Sequence, residues 1–256
     1  MTAFDKRTGK VLWTALSAKE IGYGPPTLVE AGGVRQLIVW HPESINALDP
    51  ETGELYWSHP FGPVRYGVSI TTPRHVKHPQ HGDLLVVSSY WDGTIVLKLD
   101  ASGKSASVLW ERTGRGRTQT GALHSLMAPP LVTDMHLYGM NRGGELRCVE
   151  LATGEVLWET YAATTGEEHA DNATAFLVPN PTPDKTFLFN GSGEMILARL
   201  APDGFTEVGR AQLLKATGTA EQRPVLWCHP ALANQSVYWR NDKEIVCFSL
   251  AGPQAK

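Results

Sequence analysis

The pattern Ala-x-Asp-x-x-Thr-Gly-x-x-x-Trp recurs along this chain of 256 residues and constrains its fold more than any bulk property does. It stands at Ala3–Trp13 and Ala47–Trp57, and again at Cys148–Trp158 with Cys for Ala and Glu for Asp. A looser copy runs through Lys98-Leu99-Asp100 and reaches its tryptophan, Trp110, three residues late. From Trp13 to Trp57, Trp110 and Trp158 the steps are 44, 53 and 48 residues. Periods of this size belong to stacked or radial supersecondary units, none of which can bury its apolar face alone.

Each copy reads as two short strands around a tight turn. The apolar residues before the acid close one strand, and Asp and Thr can bond to the turn backbone. Gly9, Gly53 and Gly154 supply the positive φ that such a turn needs. Lys-Val-Leu-Trp or Glu-Val-Leu-Trp then alternates as a strand with one dry face. Two further strand candidates precede each turn, such as Pro26–Glu30 with Gln36–Trp40, and Pro130–Thr133 with His136–Met140. One period therefore holds four strands and no helical pattern, which is the make-up of a propeller blade. A degenerate unit without the tryptophan follows at Phe176–Gly209, and a last one offers Val225–Trp227, Ser236–Trp239 and Ile245–Leu250.

These residues resemble the tryptophan-docking repeat of the PQQ-like β-propellers, a bacterial family that includes quinoprotein alcohol dehydrogenases and an outer-membrane assembly lipoprotein. The resemblance covers nearly the whole chain. It implies an all-β propeller of four-stranded antiparallel blades, with Trp13, Trp57, Trp110 and Trp158 packed between neighbouring blades. It also implies an extracytoplasmic, periplasmic setting.

The expected blades are 23–57, 66–110, 124–158 and 169–214, with three strands in 225–250 and a lone fourth strand in 6–15. Either that strand closes a five-bladed ring, or the chain is an arc of a seven- or eight-bladed one. The arc is favoured, because blade twist suited to a larger ring does not easily close at five. Met1 leads straight into the tail of a third strand, so the chain reads as N-terminally truncated, without a signal peptide.

The charge balance, 23 Lys+Arg against 26 Asp+Glu for a net −3, lacks the basic field of a nucleic-acid binder. No apolar run approaches the ~20 residues that span a bilayer. Three cysteines, none adjacent and none in a Cys-x-x-Cys pair, make neither a disulfide framework nor a metal site. Cys148 and Cys247 share the blade position of Ala3 and Ala47, a small inward slot, and are expected to be buried.

Aligning the units places the loops before the first strands and the loops between second and third strands on one face. Tyr23, Tyr66, His124, His169 and His229 fall there, and would either ring a ligand-binding channel mouth or cap strand ends against the next blade. The basic segment with Arg115 and Arg117 neighbours them, but no helix start follows to complete a phosphate loop. His75, His78 and His81 are three apart, yet Pro79 and Gly82 mark a solvated hairpin loop.

The quinoprotein branch would bring a vicinal Cys-Cys disulfide, a tryptophan under the quinone and a calcium site. Asp92, Asn141, Asn172 and Asp242 have the oxygen ligands calcium takes but lie on different blades. No self-contained catalytic motif appears. The reading is a non-catalytic propeller that needs no cofactor and binds protein, peptide or carbohydrate on its loop face. The alternative is a PQQ-dependent alcohol or sugar dehydrogenase.

Overall fold

A computed structural model describes residues 1–62, 69–114, 120–182 and 184–252. Every regular element among them is a β-strand. A two-stranded ribbon opens the chain, β1 (Thr2–Phe4) with β2 (Val11–Thr14). Four complete antiparallel sheets follow. The first holds β3 (Thr27–Ala31), β4 (Val34–His41), β5 (Ser44–Leu48) and β6 (Leu55–Pro60). The second holds β7 (Arg74–His78), β8 (Gly82–Ser89), β9 (Gly93–Leu99) and β10 (Ala106–Arg112). The third holds β11 (Leu131–Thr133), β12 (His136–Met140), β13 (Leu146–Glu150) and β14 (Val156–Thr160). The fourth holds β15 (Ala175–Pro179), β16 (Lys185–Asn190), β17 (Glu194–Ala201) and β18 (Gly204–Gln212). A short hairpin, β19 (Gly218–Ala220) and β20 (Arg223–Val225), precedes a three-stranded sheet of β21 (Ala231–Ala233), β22 (Ser236–Arg240) and β23 (Ile245–Ser249).

The repeated turn explains the third-to-fourth strand connection. Asp5 Oδ1 accepts from the amides of Arg7 (3.0 Å) and Thr8 (2.7 Å), and Asp49 Oδ1 from those of Glu51 (2.7 Å) and Thr52 (3.1 Å). The Thr8 hydroxyl and these amides hold the Asp5 carboxyl below its usual range. Ala3, Ala47 and Cys148 each face a tryptophan across the pair, and the register shifts immediately afterwards in all three. That bulge twists the outer strand and aims the ring at the next sheet. Trp13 Nε1 donates to Pro50 O (3.2 Å), Trp110 to Leu151 O (2.7 Å) and Trp158 to Ala201 O (2.8 Å). Pro50 and Leu151 are turn residues of the following sheet, and Ala201 ends the third strand of its own, just before the turn. Gly53 (φ +76°) and Gly154 (φ +74°) also lie so close to Trp13 and Trp110 that an added Cβ would stand 2.6 Å and 2.9 Å from those rings. Trp57 departs from this rule and donates to Gln36 Oε1 at 2.9 Å inside its own sheet.

The core lies between sheets. Strand β8 shows how: Leu85 and Val87 pack with Ile38, Ile45 and Trp40 of the first sheet, while Leu84 and Val86 pack with Leu137 and Val149 of the third and with Leu123 just before it. Successive side chains of a strand point to opposite faces, so each middle strand seals two boundaries at once. A third cluster joins the third and fourth sheets to the C-terminal one through Tyr138, Leu188, Phe189 and Trp239.

The strand pair β1–β2 and the sheet β21–β23 stay separate, so the blades form an open arc rather than a ring. Three expectations are corrected here. The last sheet begins at Ala231, not Val225, because Val225 belongs to the added hairpin. Cys247 is exposed rather than buried, since among the described residues no fourth strand covers β23, while Cys148 is buried as expected. His75 and His78 lie on strand β7, and His78 is buried instead of solvated, its Nδ1 accepting from the amides of Gln80 and His81 (both 3.2 Å).

Candidate functional site

The loops before the first strands and between the second and third strands meet at the blade boundaries. The residues 141–144 and 169–172 show the usual arrangement: Ala170 N donates to Gly143 O (2.9 Å) and Asn172 N to Arg142 O (3.0 Å). The Arg142 guanidinium lies over the rings of Tyr90 (4.8 Å) and Trp91 (4.5 Å) of the second sheet. Burial raises the Tyr90 phenol above its ordinary range.

The loop-face residues expected from the sequence take different environments. His124 is 1 % exposed and fully engaged. Gly121 N donates to its Nε2 (3.1 Å), which fixes the neutral tautomer whose Nδ1–H donates to Tyr90 O (3.0 Å). Burial, above all, pushes its pKa down to about 4, with the Arg142 and Arg147 charges adding to the effect. This ring ties one sheet to the next and has no nitrogen to offer a ligand. His169 is open to solvent, paired with Asp171 Oδ1 at 2.9 Å. The His229 ring rests on Phe176 (4.7 Å) and its Nδ1 meets Pro230 O (2.8 Å). Tyr23 is exposed, with its amide bonded to Ser69 O (2.8 Å). Tyr66, Arg115 and Arg117 lie outside the described residues. None of the four described side chains bonds to another.

An open space on this face lies one blade further on. A cleft of about 490 Å³ sits where the residues 164–166 and 173–174, the loop 191–192 and the hairpin β19–β20 converge. Thr164, Thr174, Ser192, Glu194, Arg210 and Arg223 line it. The hairpin is pinned there by Asn172 Nδ2 donating to Glu221 Oε1 (2.8 Å) and Arg223 Nη2 donating to Asp171 O (2.7 Å). Thr174 is 3 % exposed, and its hydroxyl has no partner among the described residues. Of these residues the sequence pattern had singled out Asn172, as an oxygen-ligand type. The stretch 213–230 carried the remaining signal, since it is longer than the connections 15–26, 61–73 and 161–174 and leaves room for an added element.

The residue types suited to a quinone site are not gathered. No two cysteines are adjacent. Asn141 Nδ2 donates to Glu145 and Thr120 (both 3.1 Å), and Asp242 accepts from Thr217 (3.3 Å), each serving its own boundary. Among the described residues no group of three or more His, Cys, Asp or Glu side chains is placed to hold a metal ion. No described helix is long and apolar enough to cross a membrane.

Radial four-stranded antiparallel sheets with interlocking boundary tryptophans define a β-propeller. The chain belongs to the PQQ-like propeller family described as "Outer membrane protein assembly factor BamB", which matches residues 1–252. Among solved structures it is similar to BamB from Moraxella catarrhalis, at 18% identity and a TM-score of 0.61 over 95% of this chain and 62% of that one. It is also similar to the Myceliophteria thermophila Cps50 (Swd1) β-propeller domain (13% identity, TM-score 0.56, 96% and 74% covered). The computationally designed Ika8 protein matches as well (12%, 0.55, 95% and 63%). The chain thus spans less than two thirds of the Moraxella protein's length. No curated protein sequence matches it.

Proposed function

We propose that this chain is a non-catalytic propeller module, extracytoplasmic like an outer-membrane assembly factor, that binds a protein, peptide or carbohydrate partner on its loop face. The observation that carries this reading is the cleft of about 490 Å³ on that face, lined by hydroxyls, a carboxylate and two guanidinium groups. Its volume lies in the usual range for ligand sites. In this reading Trp13, Trp57, Trp110 and Trp158, with Gly9, Gly53 and Gly154, dock blade on blade and take no part in binding.

Peptide and glycan arrays probed with the full chain test the proposal. Saturable ligands should emerge that are lost with Ser192→Trp, which fills the cleft from an exposed position, and kept with Arg7→Glu on the opposite turn face. Ligands indifferent to Ser192→Trp but lost with Arg7→Glu would move the binding face to the other side. Dye-linked alcohol oxidation that appears with added quinone and calcium and vanishes on chelation would instead make the protein an enzyme.

A further inference from the structure

We infer that the loop-face cleft is a carboxylate site: it takes a polar ligand of small-molecule size whose carboxylate is gripped by Arg223 and reached by the Thr174 hydroxyl. This rests on the loop-face reading above and names its ligand chemistry. The two arginines of the cleft differ in what they have left to give. Arg210 is spent: its guanidinium meets Glu207 (3.2 and 2.8 Å), Glu194 (2.9 Å) and the Ala162 carbonyl (2.7 Å). Glu207, then Glu194, raise its pKa accordingly. Arg223 donates once, to the neutral Asp171 carbonyl, and no carboxylate pairs with it among the described residues. That single bond orients a planar fork whose other donors match a carboxylate edge-on.

The surroundings agree. Arg223 follows directly on a two-residue turn, Glu221 (φ +47°) and Gln222 (φ +65°), a conformation that side chains other than Gly, Asn and Asp rarely adopt. Strain of this kind persists only where surrounding contacts hold it, and here Asn172 grips Glu221. Thr174 adds a buried hydroxyl that has no partner among the described residues. An unpaired buried hydroxyl costs stability, and an incoming acceptor removes that cost. The described lining residues include no aromatic ring, so a neutral sugar would find no flat surface for its C–H face.

Titration calorimetry on the full chain separates the two sources of such a carboxylate. One arm compares an acetylated dipeptide with a free C-terminus to its amide, and the other compares galacturonate to galactose. At least one acid should bind saturably while its neutral counterpart does not, and the arm that responds identifies the source. Arg223→Gln should weaken that binding about 10- to 100-fold, and Arg223→Lys less. Thr174→Val should weaken it about 3- to 10-fold without lowering the melting temperature. The inference is overturned if neutral counterparts bind as tightly as the acids, if inorganic phosphate binds more tightly, or if no acid saturates at millimolar concentration. Neutral ligands that bind and are lost with Ser192→Trp would sink the carboxylate assignment alone and leave the loop-face reading standing.

Discussion

His124 and Thr174 are both buried polar residues at the loop end of a sheet, and they have opposite fates. His124 seals the boundary between the second and third sheets, with both ring nitrogens satisfied by backbone groups at 3.0 and 3.1 Å. Thr174 lies one sheet further on, equally buried, with its hydroxyl unpaired among the described residues beside an open cleft. The repeat therefore sets where a polar residue stands, while local neighbours decide whether it is spent on structure. The difference comes from the inserted hairpin β19–β20 and the residues 164–166, which wall a space instead of filling it.

The sharpest way to break this contrast is His124→Ala. It should cost about 2–5 kcal/mol, because a buried carbonyl and a buried amide lose their partner together. Denaturant unfolding measures this, and a cost below about 1 kcal/mol would mean that the boundary is not sealed by this ring.

Next in size is the pH dependence that the same ring imposes. Its folded pKa, about 4, lies below the ordinary 6.5. The neutral form is therefore the one that folding favours, so its contribution is complete above pH 6.5 and is lost as pH falls toward 4. The span amounts to roughly 3 kcal/mol. His124→Gln should flatten the stability profile between those values relative to the wild type, and an unchanged slope would contradict the burial.

At the open end the effects shrink and one reverses. Thr174→Val should leave stability unchanged or raise it by up to about 1 kcal/mol, because the hydroxyl it removes has no bond to lose. A clear loss in thermal melting would show that the hydroxyl is already satisfied. His169→Ala should change stability by no more than about 0.5 kcal/mol, since its pair with Asp171 is solvent-exposed.

Much of the architecture was legible because its signals are local. Asp5, Asp49 and the turn glycines act within a few residues of themselves, and strands on either side follow by alternation. Trp110 was readable even though it arrives late, since β9 and β10 stay paired as far as Leu99 and Ala106 before their turn, while the register shift beside the tryptophan is the one the other copies have. The first strand of the last sheet was misplaced for the same local reason. Val225–Trp227 has strand composition, but the two-residue turn at Glu221–Gln222 pairs Val225 with Gly218 instead. Cys247 was misjudged because burial at its position requires a fourth strand opposite it. In three other sheets that place is taken by Trp13, Trp57 or Trp158.

By itself the sequence determined the propeller class and the blade period, since each follows from short-range turn chemistry repeated at near-constant spacing. Only the tertiary structure decided which loop residues are free to act. Whether a ring nitrogen or a guanidinium is spent depends on groups dozens of residues away, as with His124 on Tyr90, Arg223 on Asp171 and Glu221 on Asn172. No local pattern encodes those meetings, because the packing of one blade on the next creates them.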